Sequence, residues 1–138
     1  MAKDIIHDAV MNALIKDGWT ITDDPLVLKY RDAHVLVDLG AERVIAAERG
    51  NEKIAVEIKS FIGRSIMRDM EVALGQYILY LSFLQKIEPE RRLYLAVSHI
   101  TYDTVMQGEA IQMLIEVNHV PLIVVQTENE EVLKWIPK

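Results

Sequence analysis

The sequence predicts a single α/β (α+β) domain, with a central mixed β-sheet flanked by helices. Three observations carry this expectation. Strand-length apolar segments fall within 34–60 and at 92–98 and 122–125. Residues 4–17, 65–86 and 102–118 repeat their apolar positions at helical spacing. The resulting order is helix, three strands, helix, strand, helix, two strands, which builds a sandwich of sheet and helices. The 138 residues, 51% hydrophobic and 26% charged, suit one domain, here 1–138, with a real core.

In the first helix, over 4–17, Asp4 is the expected cap. Ile6, Val10, Ala13 and Leu14 form its apolar stripe, and Gly18 ends it. Residues 19–30 read as extended, interrupted at Asp24-Pro25, where proline implies an edge or a bend. Residues 34–48 read as one long strand or two collinear pieces, with a bulge at Gly40. Arg49-Gly50-Asn51-Glu52 is a turn, and 53–60 returns as the second arm of a hairpin.

Ser65 caps the next helix, whose stripe is Ile66, Met70, Leu74, Tyr77, Leu81 and Leu84. The segment 92–98 is a buried strand, parallel to its neighbour because a helix precedes it. A third helix at 102–118 leads to Pro121, which opens the strand 122–125, and 131–136 pairs with that strand.

Composition excludes several classes. There is no cysteine, so neither a disulfide nor a thiolate zinc site can form. No apolar run approaches the roughly 18 residues of a membrane span, and Met1-Ala2-Lys3-Asp4 leads directly into a helical pattern. A cytoplasmic protein without membrane contact is expected. The net charge of −6 argues against a non-specific nucleic-acid binder. That charge is uneven: residues 1–99 carry 13 basic and 15 acidic side chains, residues 100–138 only 2 and 6. Lys53, Lys59, Arg64, Arg68, Arg91 and Arg92 are the cations available to a phosphate backbone in the more neutral part.

The segment Ala55-Val56-Glu57-Ile58-Lys59 is the chemically informative one. Strand alternation sends Val56 and Ile58 to one face, and Glu57 and Lys59 to the other. A turn centred between Gly50 and Asn51 sets Glu57 opposite Val44 and Lys59 opposite Glu42. Asp38 shares that face by parity along an unbroken strand, so spacing leaves Asp38 or Glu42 as the second carboxylate. Two close carboxylates are stabilised by a cation, and oxygen donors suit Mg2+ or Mn2+. The metal can acidify a water, and a neighbouring lysine can neutralise developing charge. On the next helix Gln76 and Tyr80 lie four apart on one face, beside the apolar stripe. Gly75 before them suggests a close approach to the sheet or to a ligand. His7 and Asp8 on the first helix are within reach of the same region. Singly, each feature has a plain explanation as a solvated strand face or a helix flank; the combination points to phosphodiester hydrolysis.

That combination resembles the PD-(D/E)XK nuclease superfamily, including its RecB-like branch with a Gln-x-x-x-Tyr helix motif. The resemblance implies a restriction-endonuclease-like core. Asp38 or Glu42 would be the first acid, Glu57 and Lys59 the second acid and the lysine, and Gln76 and Tyr80 the helix pair. The superfamily's first-helix acid has no clear match; Asp8 or His7 is nearest. A resemblance over nearly the whole chain is narrower. Asp17-Gly18-Trp19-Thr20-Ile21-Thr22, Val37-Asp38-Leu39-Gly40-Ala41-Glu42, Ala46-Ala47-Glu48-Arg49, Ile54-Ala55-Val56-Glu57-Ile58-Lys59-Ser60-Phe61, Ala73-Leu74-Gly75-Gln76-Tyr77 and Leu93-Tyr94-Leu95-Ala96-Val97 resemble the XisH family. That family is named for a factor controlling excision of the fdxN element, and a small XisI-like protein is the partner it implies.

Two functions compete. One is a metal-dependent DNA endonuclease assisting DNA recombination. The other is an inactive nuclease-fold accessory protein that binds DNA or an XisI-like partner and directs a separate recombinase. A toxin and antitoxin pair is a weaker third. The helix at 102–118 is apolar over much of its surface. It is expected to pack on the sheet, and any side left exposed would support a homodimer.

Overall fold

The computed structural model describes residues 2–36, 38–39 and 42–137; for 2–5, 34–36, 38–39 and 42–43 it describes the backbone alone. The chain begins with α1 (Ala2–Lys16), which starts before Asp4 and so does not use it as a cap. Ile6, Val10, Ala13 and Leu14 are all buried. Gly18 ends the helix with φ +90°, a conformation that glycine adopts without a Cβ penalty.

The segment expected to be one interrupted stretch is two different strands. β1 (Thr20–Asp23) joins the main sheet. β2 (Val27–Tyr30) turns back through Arg31-Asp32 and pairs with β3 (Ala33–Leu36) as a separate two-stranded sheet. The buried Leu28 of this small hairpin packs into the core under the second helix. The 34–48 segment is not collinear either. β4 (Asp38–Leu39) lies antiparallel to β5 (Glu42–Arg49), with Asp38 opposite Arg43 and Leu39 opposite Glu42. The chain reverses there. The expected bulge at Gly40 lies outside the described residues.

β5 and β6 (Glu52–Ile58) form the expected hairpin, with Glu57 opposite Val44 and Arg49 opposite Glu52. The polypeptide then crosses over through α2 (Ile66–Ile87) to β7 (Arg92–Ser98), parallel to β6. Ser65 caps α2, its hydroxyl accepting from the Arg68 N–H at 3.1 Å. β8 (Leu122–Gln126) is parallel to β7, and β9 (Glu131–Ile136) closes antiparallel. The strand order is β1-β5-β6-β7-β8-β9, with β4 sharing β5's outer edge beside β1. The fold is mixed α+β.

The expected helix at 102–118 is broken. It consists of α3 (His99–Thr104), a 3₁₀ turn (Val105–Gln107) and α4 (Glu109–Val117). Gly108 at the break is extended, with φ −63° and ψ 145°, so the helix cannot run through it. Ser98 caps the first piece, accepting from the Thr101 N–H.

α1 packs on the face carrying Val56 and Ile58, while α2, α4 and the β2–β3 hairpin pack on the face carrying Ala55 and Val44. α2 buries Met70, Ala73, Tyr77, Tyr80 and Leu84, at spacings of three and four. That stripe is rotated from the expected one: Ile66 is exposed, and Leu74 and Leu81 are half-buried. Among the described residues no helix is long and apolar enough to cross a membrane.

Candidate functional site

The site lies where β6 ends and the crossover to α2 begins. Glu57 sits on β6, hydrogen-bonded on both sides between β5 and β7, and Lys59 follows its last residue. Their parity turns them to the α2 face, beside the core residues Ala55 and Val44. Both are buried, Glu57 at 1% exposure and Lys59 at 3%. The Lys59 ammonium stands 3.8 Å from Glu57 Oε2. A charge pair this deep is tolerated because each charge offsets the desolvation of the other.

Lys59 is fixed at several points. Its Nζ donates to Gln76 Oε1, so the expected helix residue does reach the strand lysine. Its backbone N–H donates to Ala96 O on β7 at 3.1 Å. The following residue, Ser60, is tied through its carbonyl, which accepts from Thr101 Oγ1 at 3.3 Å. Phe61 then adopts φ 54°, a left-handed conformation that costs a non-glycine residue about 1–3 kcal/mol. The strand therefore ends in a held, strained corner.

Beside Lys59 is a cleft of about 270 Å³ lined by Ser60, Phe61, Ile62, Gly63, Asp69 and Val72. The Gly63 N–H donates to Asp69 Oδ2 at 2.8 Å, pinning this loop to the first turn of α2. A Cβ at Gly63 would push the Asp69 carboxylate aside, so the bare glycine backbone is what lets the two meet. Sequence reasoning missed both residues; an acid in the first turn of a helix was the available signal.

Tyr77 was also missed as a site neighbour, because its spacing marks it as core. It is core, but its hydroxyl donates to Leu93 O at 3.3 Å. Burial, and then the Glu57 carboxylate, push its phenol up to about 12. Tyr80 lies within the core cluster, not beside it, one turn further along α2 from Gln76.

The remaining predicted residues divide clearly. Of Asp38 and Glu42 only the backbone is described; their side chains lie outside the described residues. The hairpin register runs unbroken to Arg43 opposite Ile58, so Glu42 is the next position along β5. Asp38 sits on the neighbouring strand opposite Arg43, and the parity argument for it assumed a continuous strand that does not exist. Among the described residues no group of three or more His, Asp or Glu is placed to hold a metal ion. Glu57 brings a carboxylate to the site, but Gln76 Oε1 already accepts from Lys59, so a hard cation such as Mg2+ or Mn2+ would need Asp38 or Glu42 beside Glu57.

His7 does not join Glu57. It is buried on α1, with Nε2 3.1 Å from Asp24 Oδ2. Asp8 is exposed. Among the described residues nothing lies within 4 Å of where a Gly75 Cβ would be, so the helix makes no close approach to the sheet there. Arg91 is structural and not a phosphate contact: buried, it donates to Ile54 O at 3.0 Å and forks onto the Glu88 carboxylate.

The model of one protein family, described as XisH protein, matches residues 1–133. Among solved structures, an XisH family protein from Nostoc punctiforme PCC 73102 superposes with a TM-score of 0.88 at 41% identity, covering 96% of this chain and 99% of that one. An fdxN element excision controlling factor protein from Anabaena variabilis superposes with a TM-score of 0.87 at 42% identity, covering 96% and 98%. A comparison with curated proteins finds no match. The chain belongs to the XisH family.

Proposed function

We propose that this XisH-family chain is a metal-dependent DNA endonuclease with a PD-(D/E)XK core, hydrolysing phosphodiester bonds in support of site-specific DNA rearrangement. The similar protein from Anabaena variabilis is described as an fdxN element excision controlling factor, and a role in excising such an element is the context proposed for this chain. The observation that carries the chemistry is the buried Glu57–Lys59 pair on a central strand, with Gln76 holding the lysine.

Glu57 would hold Mg2+ or Mn2+ together with Glu42, whose backbone lies on the adjoining strand β5, or with Asp38, on β4 beyond it. Such an ion supplies an acidified water and polarises a phosphoryl oxygen. The chain's own groups do the rest. Lys59, kept in place by Gln76 and by its backbone bond to Ala96, offers a fixed positive charge to oxygens that gain negative charge at the phosphorus. Tyr77 stays protonated below about pH 12 and so adds no negative charge beside Glu57. The cleft next to Lys59 gives a phosphate its approach, with the exposed Arg64 following Gly63 at its edge. Tyr80 is proposed as the residue that sets how α2 lies on the sheet, and thereby where Gln76 falls.

The test is cleavage of duplex and branched DNA with Mg2+ or Mn2+. Glu57→Ala and Lys59→Ala should each lose about a hundredfold or more in rate. Cleavage at the wild-type rate by either variant sinks the enzyme reading.

One observation favours the accessory reading. Lys59 already neutralises Glu57 inside the protein, so the pair can persist with no metal and no turnover. On this reading the chain binds DNA or an XisI-like partner and directs a separate recombinase, and excision survives Glu57→Gln. A homodimer is proposed through the outer side of α4, where Met113 and Val117 stay 50% and 65% exposed while Ile111 and Ile115 are buried. Size-exclusion chromatography showing a monomer at high concentration removes that interface.

A further inference from the structure

A second pocket lies at the opposite end of the sheet, on the α1 face. Its volume is about 540 Å³, within the ~300–1,000 Å³ range of small-molecule sites. Its floor is aromatic: Trp135 lies 5.9 Å from Trp19 and 5.1 Å from Tyr94, the latter edge to face. Two guanidinium groups rim it. Arg49 sits 4.5 Å over the Trp19 ring, and Arg92 sits 5.3 Å from the Tyr94 ring. The path along β6 from Glu52, which lines this pocket, to Lys59 spans roughly 20 Å. The two sites are therefore distinct.

The charge arrangement is selective. Arg49 is held by the Asp17 carbonyl at 3.0 Å and by the Asp17 and Glu52 carboxylates at 3.5 and 3.4 Å, which orient it and offset much of its charge, leaving Arg92 as the principal cation for a phosphate. Arg92 is exposed and has no ion pair among the described residues. A chain of net charge −6 thus presents in this hollow an aromatic wall with a cation at its edge that makes no ion pair among the described residues. Aromatic faces stack on nucleobases and arginine holds phosphate, which is the pairing used to bind single strands.

We propose that this pocket binds a nucleotide, its base stacked against the half-buried Trp135, whose ring is backed by the buried Tyr94 and Trp19, and its phosphate held by Arg92 and Arg49. The nucleotide is either free or an unpaired residue of a single DNA strand. Neither case requires turnover at Glu57, so this inference stands apart from the proposed hydrolysis.

The two tryptophans of the chain, Trp19 and Trp135, both line this pocket, so their fluorescence reports on it directly. The full chain is titrated with thymidine monophosphate, with a single-stranded oligothymidylate and with inorganic phosphate. Saturable quenching by the mononucleotide supports a free-nucleotide site. Saturable quenching by the strand alone supports an unpaired residue in DNA. In both cases the exposed Arg92→Gln should weaken binding about tenfold. Trp135→Leu, with Trp19 as the remaining reporter, should weaken it by a similar factor. Glu57→Gln should leave it unchanged. Absence of saturable quenching by either thymidine ligand overturns the proposal, as does quenching undiminished in both Arg92→Gln and Trp135→Leu. Oligonucleotide binding lost in Glu57→Gln but kept in Arg92→Gln also overturns it, placing the strand at the other site.

Discussion

Removing the Lys59 ammonium while keeping its bulk, as Lys59→Met, isolates what the buried pair contributes. At 3.8 Å, and with an effective dielectric constant of about 20, the gross attraction between Lys59 and Glu57 is about 4 kcal/mol. Breaking a buried pair from one side typically costs about 3–5 kcal/mol, because the remaining charge stays desolvated. Glu57→Gln should cost less, about 1–3 kcal/mol, since the Lys59 ammonium keeps Gln76 Oε1 as an acceptor. The double variant should fall well short of the sum, with a coupling energy of about 2 kcal/mol. Urea denaturation measures this. With a slope of about 2 kcal/mol/M, Lys59→Met should lower the midpoint by roughly 1.5 M or more. The same titrations in Mg2+ at a hundred times its dissociation constant should add about 2.7 kcal/mol to the wild type and nothing to Glu57→Gln. Additivity within about 0.5 kcal/mol would refute the coupling. Equal metal stabilisation of wild type and Glu57→Gln would remove Glu57 as a ligand.

Tyr77→Phe should cost about 1 kcal/mol at neutral pH, for the hydroxyl's bond to Leu93 O. Its alkaline behaviour is more telling. The folded pKa of about 12 lies above the ordinary tyrosine value of 10.0, so the unfolded chain releases its proton first. The contribution is thus complete below pH 10 and lost as pH rises to 12; it amounts to up to about 2–3 kcal/mol. Denaturation across that window should show a shallower fall in Tyr77→Phe, and parallel curves would contradict the shift. Gly75→Ala should raise thermal stability by up to about 1 kcal/mol, because the position is exposed, helical and open around the missing Cβ. A loss of stability there would mean that something approaches Gly75 after all. Gly63→Ala should displace Asp69, cost about 1–2 kcal/mol by chemical denaturation and slow DNA cleavage more than Gly75→Ala does. Wild-type stability and cleavage in Gly63→Ala would dissociate the pinned loop from the site.

The hairpin β5–β6 was legible because its turn is local. Gly50 takes φ +60°, Arg49 pairs with Glu52, and every later pair follows from that register. The same arithmetic placed Glu57 opposite Val44. The parallel pairing of β6 with β7 was legible from the helix between them. What failed was non-local or lacked turn chemistry. Arg31-Asp32 is not a typical two-residue hairpin turn, yet the chain reverses there and sends Leu28 under α2. Alternating apolar residues from 34 to 48 fit one strand as well as two antiparallel ones, because both have the same period. The break at Gly108 was visible as a glycine, but the apolar residues on both sides masked it. On α2 the aromatic Tyr80 looked like a flank partner of Gln76 and is instead part of the buried stripe. Helical spacing alone could not choose between faces one residue apart.

The position of the pair within the sheet bears on how the site works. In open sheets with parallel strands, ligands gather at the carboxyl ends of the strands, where crossover loops leave space. β6, β7 and β8 are the parallel strands here, and Lys59 is the first residue after β6. The crossover from Lys59 to Ser65 is held by Thr101 from one side and by Asp69 from the other, and its Phe61 corner is strained. A lysine whose backbone, side chain and following loop are each fixed separately has little freedom to swing out to a ligand. Any phosphate that meets Lys59 must therefore come to it through the adjoining cleft, and little of the ordering needed at the moment of binding remains to be done by the protein. Such rigidity favours a positioned charge over a mobile one, which is what stabilising a developing phosphoryl charge requires.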